Sequence, residues 1–348
     1  MSRNDYFKRV NALTPTRFWV NNPTRSQAKM AIEAGAVCCT TNPIHAIKIV
    51  RSAEDGEIAL QIIDKVLSDK AHSVSEAAAL VQRQLVKMLL DEFVDVYEKS
   101  HGRLGYVSIQ CDPHSESDPD NIIREALADL ELNKNVIAKI PITKPGLEAV
   151  YYLVKKNVPV IATEIMSMSQ MIAACETYQK ASEESSCQPA FFVTHITGIY
   201  DEYLQKQAAA GKIQADPDAL YQAGTIIARK QLGMMHDRGY PGIMLGGGAR
   251  GLHHFTEMVG GAMHVTINWA GTADKLIELD PPVVSRMQTP TPDSVLEELL
   301  YKVPAFEKAY RADGLDINEF ADFGPVELFR SQFLKGWDDL IAVIQGRV

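Results

Sequence analysis

Cysteine is scarce and unpatterned in this chain. The 348 residues carry five cysteines, with no C-x-x-C pair and no His/Cys cluster. That spacing excludes a disulfide scaffold and the usual structural zinc sites, so no metal is expected. Cys38, Cys39 and Cys111 stand in apolar segments and read as reduced thiols. No apolar run approaches the roughly eighteen residues of a membrane span, so no membrane partner is expected. The first twenty residues lack the apolar core of a signal peptide, and a cytoplasmic setting is the expectation. Basic residues are the minority: 35 Lys and Arg against 44 Asp and Glu leave a net charge of −9. A general nucleic-acid binder would carry the opposite balance. No low-complexity stretch or long linker interrupts the chain.

What is present is a regular alternation. Eight apolar, strand-like runs fall at 17–21, 36–43, 105–113, 135–141, 158–164, 189–198, 240–251 and 262–268, each followed by a helix-like run. The strands are nearly continuous in apolar residues, as when both sheet faces are covered. No G-x-G-x-x-G follows the first strand, which weakens a dinucleotide-binding alternative. Eight βα units over about 250 residues predict an α/β fold of the (β/α)8 TIM-barrel type. The expected organisation is a short helical extension over 1–16, a barrel over 17–289, and additional C-terminal helices over 290–348 packed on it as one domain. The helical stretch at 56–100 is expected to divide near SDKAHSV, and that at 199–238 near Gly211 to Pro217.

The run NVIAKIPITKPG, 135–146, holds a lysine where burial is expensive. Lys139 is flanked by Val136, Ile137, Ala138 and Ile140. A desolvated amine has a lowered pKa and can attack a carbonyl to form a Schiff base. On these residues alone, a strand-end lysine whose ammonium reaches solvent is the competing reading. A barrel of this type places its active site at the C-terminal strand ends. Polar residues recur there: Asn21 and Asn22; Thr40, Thr41 and Asn42; Gln110 and Asp112; Lys139 with Thr143; Thr163 and Glu164; Thr194 and His195; Gly246 to Arg250; Thr266 and Asn268.

Four of those places together resemble the transaldolase family of class I, Schiff-base aldolases, over residues 17–270. CCTTNP at 38–43 is similar to the family's T-T-N-P, and IAKIPIT at 137–143 to its K-I-P-x-T. ATEIMSMSQ at 162–170 is similar to T-x-x-x-S-x-x-Q, and LGGGARG at 245–251 to G-A-S-F-R. The resemblance implies a Schiff base on Lys139 and a catalytic water held by Thr163. It implies substrate contacts from Thr40, Thr41, Asn42, Thr194, Gly248 and Arg250, the last to a terminal phosphate. It further implies transfer of a dihydroxyacetone unit between a ketose and an aldose, with aldol cleavage as an alternative and a non-catalytic sugar-phosphate-binding protein as another. No cofactor is needed, the partner is a small sugar or sugar phosphate, and a homo-oligomer is left open.

Departures from the family stand elsewhere in the functional shell, among them Ile161 where the family has a fifth-strand asparagine. The family's first-strand aspartate, an acid/base, falls on Asn21. Its third-strand glutamate falls on Gln110, as in the fructose-6-phosphate aldolase branch. One of its two phosphate-binding arginines falls on Ile199. An acid/base substitute is therefore needed, and His195 is the candidate because imidazole titrates near neutrality. Strand alternation can also turn His195 away from the axis. Glu164 is expected to face outward, against the helix layer. His253 and His254 read as surface histidines near the anion site.

Overall fold

A computed structural model describes residues 5–69 and 71–348. Residues 1–4 of the expected leading helix, and residue 70 in the expected helix break, lie outside the described residues. Eight parallel strands close into a barrel in sequence order: β1 Arg17–Asn21, β2 Cys38–Thr40, β3 Val107–Ile109, β4 Val136–Pro141, β5 Val160–Ile165, β6 Phe191–His195, β7 Ile243–Gly246 and β8 His264–Asn268. β1 pairs with both β2 and β8, so no sheet edge is left open. All eight expected strands are present, several of them shorter than the apolar runs that announced them.

The helices between them start and stop where local chemistry directs. Thr24 and Gln27 form a reciprocal capping box at the start of helix Arg25–Ala34, and Gly35, at φ 111°, ends it. Ser73 and Glu76 cap helix Val74–Lys99 in the same way. The 56–100 stretch is two helices, Gly56–Leu67 and Val74–Lys99, and the 199–238 stretch is also two, Thr197–Ala209 and Pro217–Asp237.

Strand alternation sorts the barrel interior into layers. Trp19, Cys38, Ile137, Ile161, Phe192 and Leu245 form a buried apolar plug. The Trp19 indole donates to His264 Nδ1 at 2.8 Å, so the one polar ring there is satisfied. Two residues further along the same strands stand Asn21, Thr40, Lys139, Thr163, Thr194, Gly247 and Thr266. Every one of them lines a single cavity at the C-terminal mouth. A polar layer thus rests on a dry floor.

The last helix, Gly324–Gln345, lies across that mouth. It packs against helices His45–Val50, Val74–Lys99 and Thr197–Ala209 and against β5. Gly336 sits so close to Ile44 that a Cβ there would come within 2.6 Å of it, which fixes the helix tightly over the β2 side. Phe329, Gln332 and Phe333 become the roof of the cavity.

Candidate active site

Lys139 stands in the middle of the polar layer, 3% exposed. Its ammonium donates to Asn42 Oδ1 and lies 5.6 Å from the centre of the Phe333 ring. Burial pulls its pKa down from 10.5 to about 8, against an opposing pull from the charge of Glu164. The amide of Asn42 is itself positioned: its backbone N–H donates to Asn22 Oδ1 at 2.9 Å. Asn21, Thr40, Thr266 and Asn268 form a chain beside it. The Thr40 hydroxyl donates to Asn21 Oδ1 at 2.8 Å and lies 2.6 Å from the Thr266 hydroxyl, while Asn21 Nδ2 donates to Asn268 Oδ1 at 2.9 Å. These amides and hydroxyls can hold a polyol but cannot carry a proton away near neutrality.

Opposite them, Thr163 and Thr194 line the cavity, and both hydroxyls are buried without a hydrogen-bond partner among the described residues. Gly247 and Gly248 follow β7, Gly248 at φ 68°, a conformation that suits glycine. Arg250 is at the rim, bonded to Glu202 at 2.6 Å and to Gln332 at 3.1 Å. Beneath this loop, His254 Nδ1 accepts from the backbone N–H of both Arg250 and Gly251 at 3.1 Å. Its Nε2 must then carry the hydrogen, and it donates to Asp201 Oδ2 at 2.8 Å. His254 is 2% exposed and is a buried brace of the loop, not the surface histidine expected from sequence. Asp201, His253 and His254 lie within 4.8 Å of one another. Both nitrogens of His254 are committed to hydrogen bonds that hold the loop, whereas both ring nitrogens of His253 are buried without a hydrogen-bond partner among the described residues.

The sequence candidates Thr41, His195, Gln110 and Asp112 stand outside the cavity lining. Thr41 is one residue out of phase with Thr40, and its hydroxyl donates outward to the Ser108 carbonyl at 2.6 Å. His195, out of phase with Thr194, points behind the barrel with Nε2 2.9 Å from the Gly224 carbonyl. Burial there lowers its pKa to about 4, so it is a neutral structural ring and not the sought acid/base. Gln110 is buried just past β3, where its Nε2 donates to Glu164 Oε1 at 2.9 Å. Asp112 is a loop cap, accepting from the His114 N–H and the Ser75 hydroxyl.

Glu164 is where the structure departs most from the sequence reading. Simple alternation sends it outward from Thr163. Instead β5 bulges: Ala162 pairs with Val193 and Ile165 with His195, so Thr163 and Glu164 together face Thr194. Glu164 takes φ 61°, and its side chain turns to Gln110 and toward the charge of Lys139. Sequence also missed Lys48, whose ammonium donates to the Asn22 carbonyl at 2.6 Å, and the roof residues Phe329, Gln332 and Phe333. An i+4 reading of the helix after T-T-N-P could have flagged Lys48; no local pattern marks the roof.

Residues 18–311 match the family described as Transaldolase/Fructose-6-phosphate aldolase. The chain is 28% identical to Transaldolase 1 of Streptomyces avermitilis over 218 residues, covering 56% of this chain and 57% of that one. It is 32% identical to a transaldolase of Helicobacter pylori over 191 residues, covering 53% and 57%. With the transaldolase of Thermobifida fusca the figures are 27% over 210 residues and 55% of each chain. The chain therefore matches a little over half the length of these curated relatives. A crystal structure of a 2,3-dimethylmalate lyase superposes over 85% of this chain and 94% of its own, at 11% identity and a TM-score of 0.33, too distant to inform the site.

Proposed function

Because the chain belongs to the transaldolase/fructose-6-phosphate aldolase family, we infer that Lys139 forms a Schiff base with a ketose and moves a dihydroxyacetone unit. The observation that supports this most is the buried amine itself, at about 8, opening into a cavity lined by amides, hydroxyls and one rim arginine. Near neutrality such an amine is partly neutral and nucleophilic. It condenses with the ketose C2 carbonyl, and the iminium then draws electrons from the C3–C4 bond as that bond breaks. Asn42, Thr40 and Asn21 hold the hydroxyls of the retained three-carbon unit. Arg250 and the glycines of its loop receive a terminal phosphate. Thr163 orients the water used in iminium formation and hydrolysis. The five cysteines are unpaired thiols, in keeping with a reducing, cytoplasmic setting. Among the described residues no helix is long and apolar enough to cross a membrane.

Transfer and cleavage use the same residues and differ in what quenches the enamine. Incubation with fructose 6-phosphate, with and without an added acceptor aldehyde, separates them. Glyceraldehyde 3-phosphate released only with the acceptor marks a transferase, and release without it marks a lyase. Saturable binding of fructose 6-phosphate with no turnover and no covalent adduct would instead favour a non-catalytic sugar-phosphate-binding protein.

A further inference from the structure

The Schiff-base cycle needs a group that passes protons between nitrogen and oxygen, and the cavity lining offers no carboxylate or imidazole for it: Asn21 is an amide and His195 faces away. Behind Lys139, however, a carboxylate has been turned inward. The β5 bulge places Glu164 at φ 61°, a conformation that glutamate adopts only when the surroundings impose it. They do so through Gln170. Its Nε2 donates to the Glu164 carbonyl at 3.1 Å and to the Ile142 carbonyl at 2.9 Å, while its Oε1 accepts from the Met166 N–H at 2.9 Å. One fully buried amide thus clamps the bulge from both sides.

The clamped side chain is 0% exposed. Its Oε1 accepts from Gln110 Nε2, and its Oε2 has no hydrogen-bond partner among the described residues. The neighbouring Thr163 hydroxyl and Gln110 Oε1 are likewise buried and unpartnered. Three elements bring titratable or charged groups to bear on Glu164: Lys139 from β4, Glu116 from the loop after β3, and Arg330 from the last helix; the neutral Gln110 amide of the same loop adds a hydrogen bond. Arg330 Nε lies 2.5 Å from Glu116 Oε1, so the second carboxylate has its own counter-charge. The large majority of buried side-chain polar atoms have a hydrogen-bond partner. Glu164 is held at a backbone cost with one oxygen left unpartnered among the described residues, as the Thr163 hydroxyl is.

We propose that Glu164, delivered by the Gln170-clamped bulge, is the proton carrier of Schiff-base formation, replacing the carboxylates absent at Asn21 and Gln110. The idea rests on the Lys139 reading. Relayed by the water that Thr163 orients, one proton passes from the Lys139 ammonium to the Glu164 carboxylate, and the amine attacks the ketone carbon. A second nitrogen proton moves to the carbonyl oxygen and gives the neutral carbinolamine. Glu164 returns its proton to that hydroxyl, the C–O bond breaks, water departs, and the nitrogen lone pair closes the iminium. Two of the three ammonium protons leave on the water, and Glu164 ends as carboxylate. Burial, which raises the Glu164 pKa against the pull of Gln110, Lys139 and Arg330, makes it readier to hold that proton in transit.

The test compares Glu164→Gln with the unaltered protein, using dihydroxyacetone and borohydride and timing the Lys139 adduct by mass. Glutamine can keep the bond to Gln110, so the fold should survive, and circular dichroism checks it. A carrier role predicts trapping slowed by about a hundredfold, with the deficit persisting at pH 9, where Lys139 is mostly neutral in both proteins. Equal rates at pH 9 would reduce Glu164 to a charge that tunes Lys139 and would overturn the proposal. If Glu164→Gln fails to fold, Glu164→Asp keeps the charge but shortens the reach by one methylene: slowed trapping at both pH 7 and pH 9 supports the carrier, and an unaltered rate in the folded variant refutes it. Absence of any adduct in the unaltered protein would instead defeat the Lys139 reading itself.

Discussion

The neutrality of Lys139 can be tested through the aromatic roof over it. At about 8 rather than 10.5, roughly one amine in ten is neutral at pH 7, against about one in three thousand for an amine in water, a gain of about 300-fold. The sign follows: raising pH deprotonates the amine, so adduct formation should rise about tenfold per pH unit below 8 and level off above it. Burial is the leading cause, and Phe333, 1% exposed with its ring 5.6 Å from the ammonium, supplies part of it. Phe333→Ser lets water reach the amine. Recovering about 1.4 kcal/mol of hydration would move the inflection up by about one pH unit. Trapping at pH 7 would then fall about tenfold, with the high-pH plateau unchanged. The assay is reductive trapping with dihydroxyacetone from pH 5.5 to 10, normalised to folded protein. An inflection that stays in place in Phe333→Ser, or one near 10.5 in the unaltered protein, would refute the reasoning.

Other perturbations read other parts of the site. Asn21→Asp restores a carboxylate beside the expected C4 hydroxyl, and cleavage of fructose 6-phosphate should accelerate, by up to about a hundredfold, in an aldehyde-release assay. Arg250→Ala removes a charged hydrogen-bonding partner worth about 1.5–3 kcal/mol. KM for fructose 6-phosphate should rise about tenfold or more, while trapping with unphosphorylated dihydroxyacetone is unaffected. Gly198→Ala would place a Cβ 2.4 Å from the Gly248 carbonyl and 2.7 Å from the Arg250 nitrogen, so the anion loop must shift. Isothermal titration with fructose 6-phosphate should show the loss. Phe192→Ala empties part of the apolar plug and should lower stability by about 3–5 kcal/mol in urea unfolding.

The barrel was legible because parallel strands covered on both faces read as apolar runs, and because helix caps such as Thr24, Ser73 and Gly35 carry local signatures. The polar layer was legible for the same reason: residues two positions beyond the plug, from Asn21 to Thr266, share its phase. Phase also explains the misplacements. Thr41 and His195 sit one residue off and turn outward, which neighbouring polar identity does not reveal. Glu164 breaks the rule in the other direction, because a bulge resets the alternation, and the Gln170 clamp that fixes it is a contact no periodicity contains. His254 is braced by Asp201 from a different helix, and Phe333 arrives from a segment nearly two hundred residues after Lys139. Such partners are set by tertiary closure, not by local pattern.

The central claim is that the Lys139 amine bonds covalently to a ketose. Borohydride reduction in the presence of fructose 6-phosphate, followed by peptide mapping, tests it most directly. The account predicts one reduced sugar adduct, located in the peptide containing Lys139 and absent from Lys139→Ala. An adduct on another lysine such as Lys48 or Lys144, or none at any pH between 6 and 9, would contradict it.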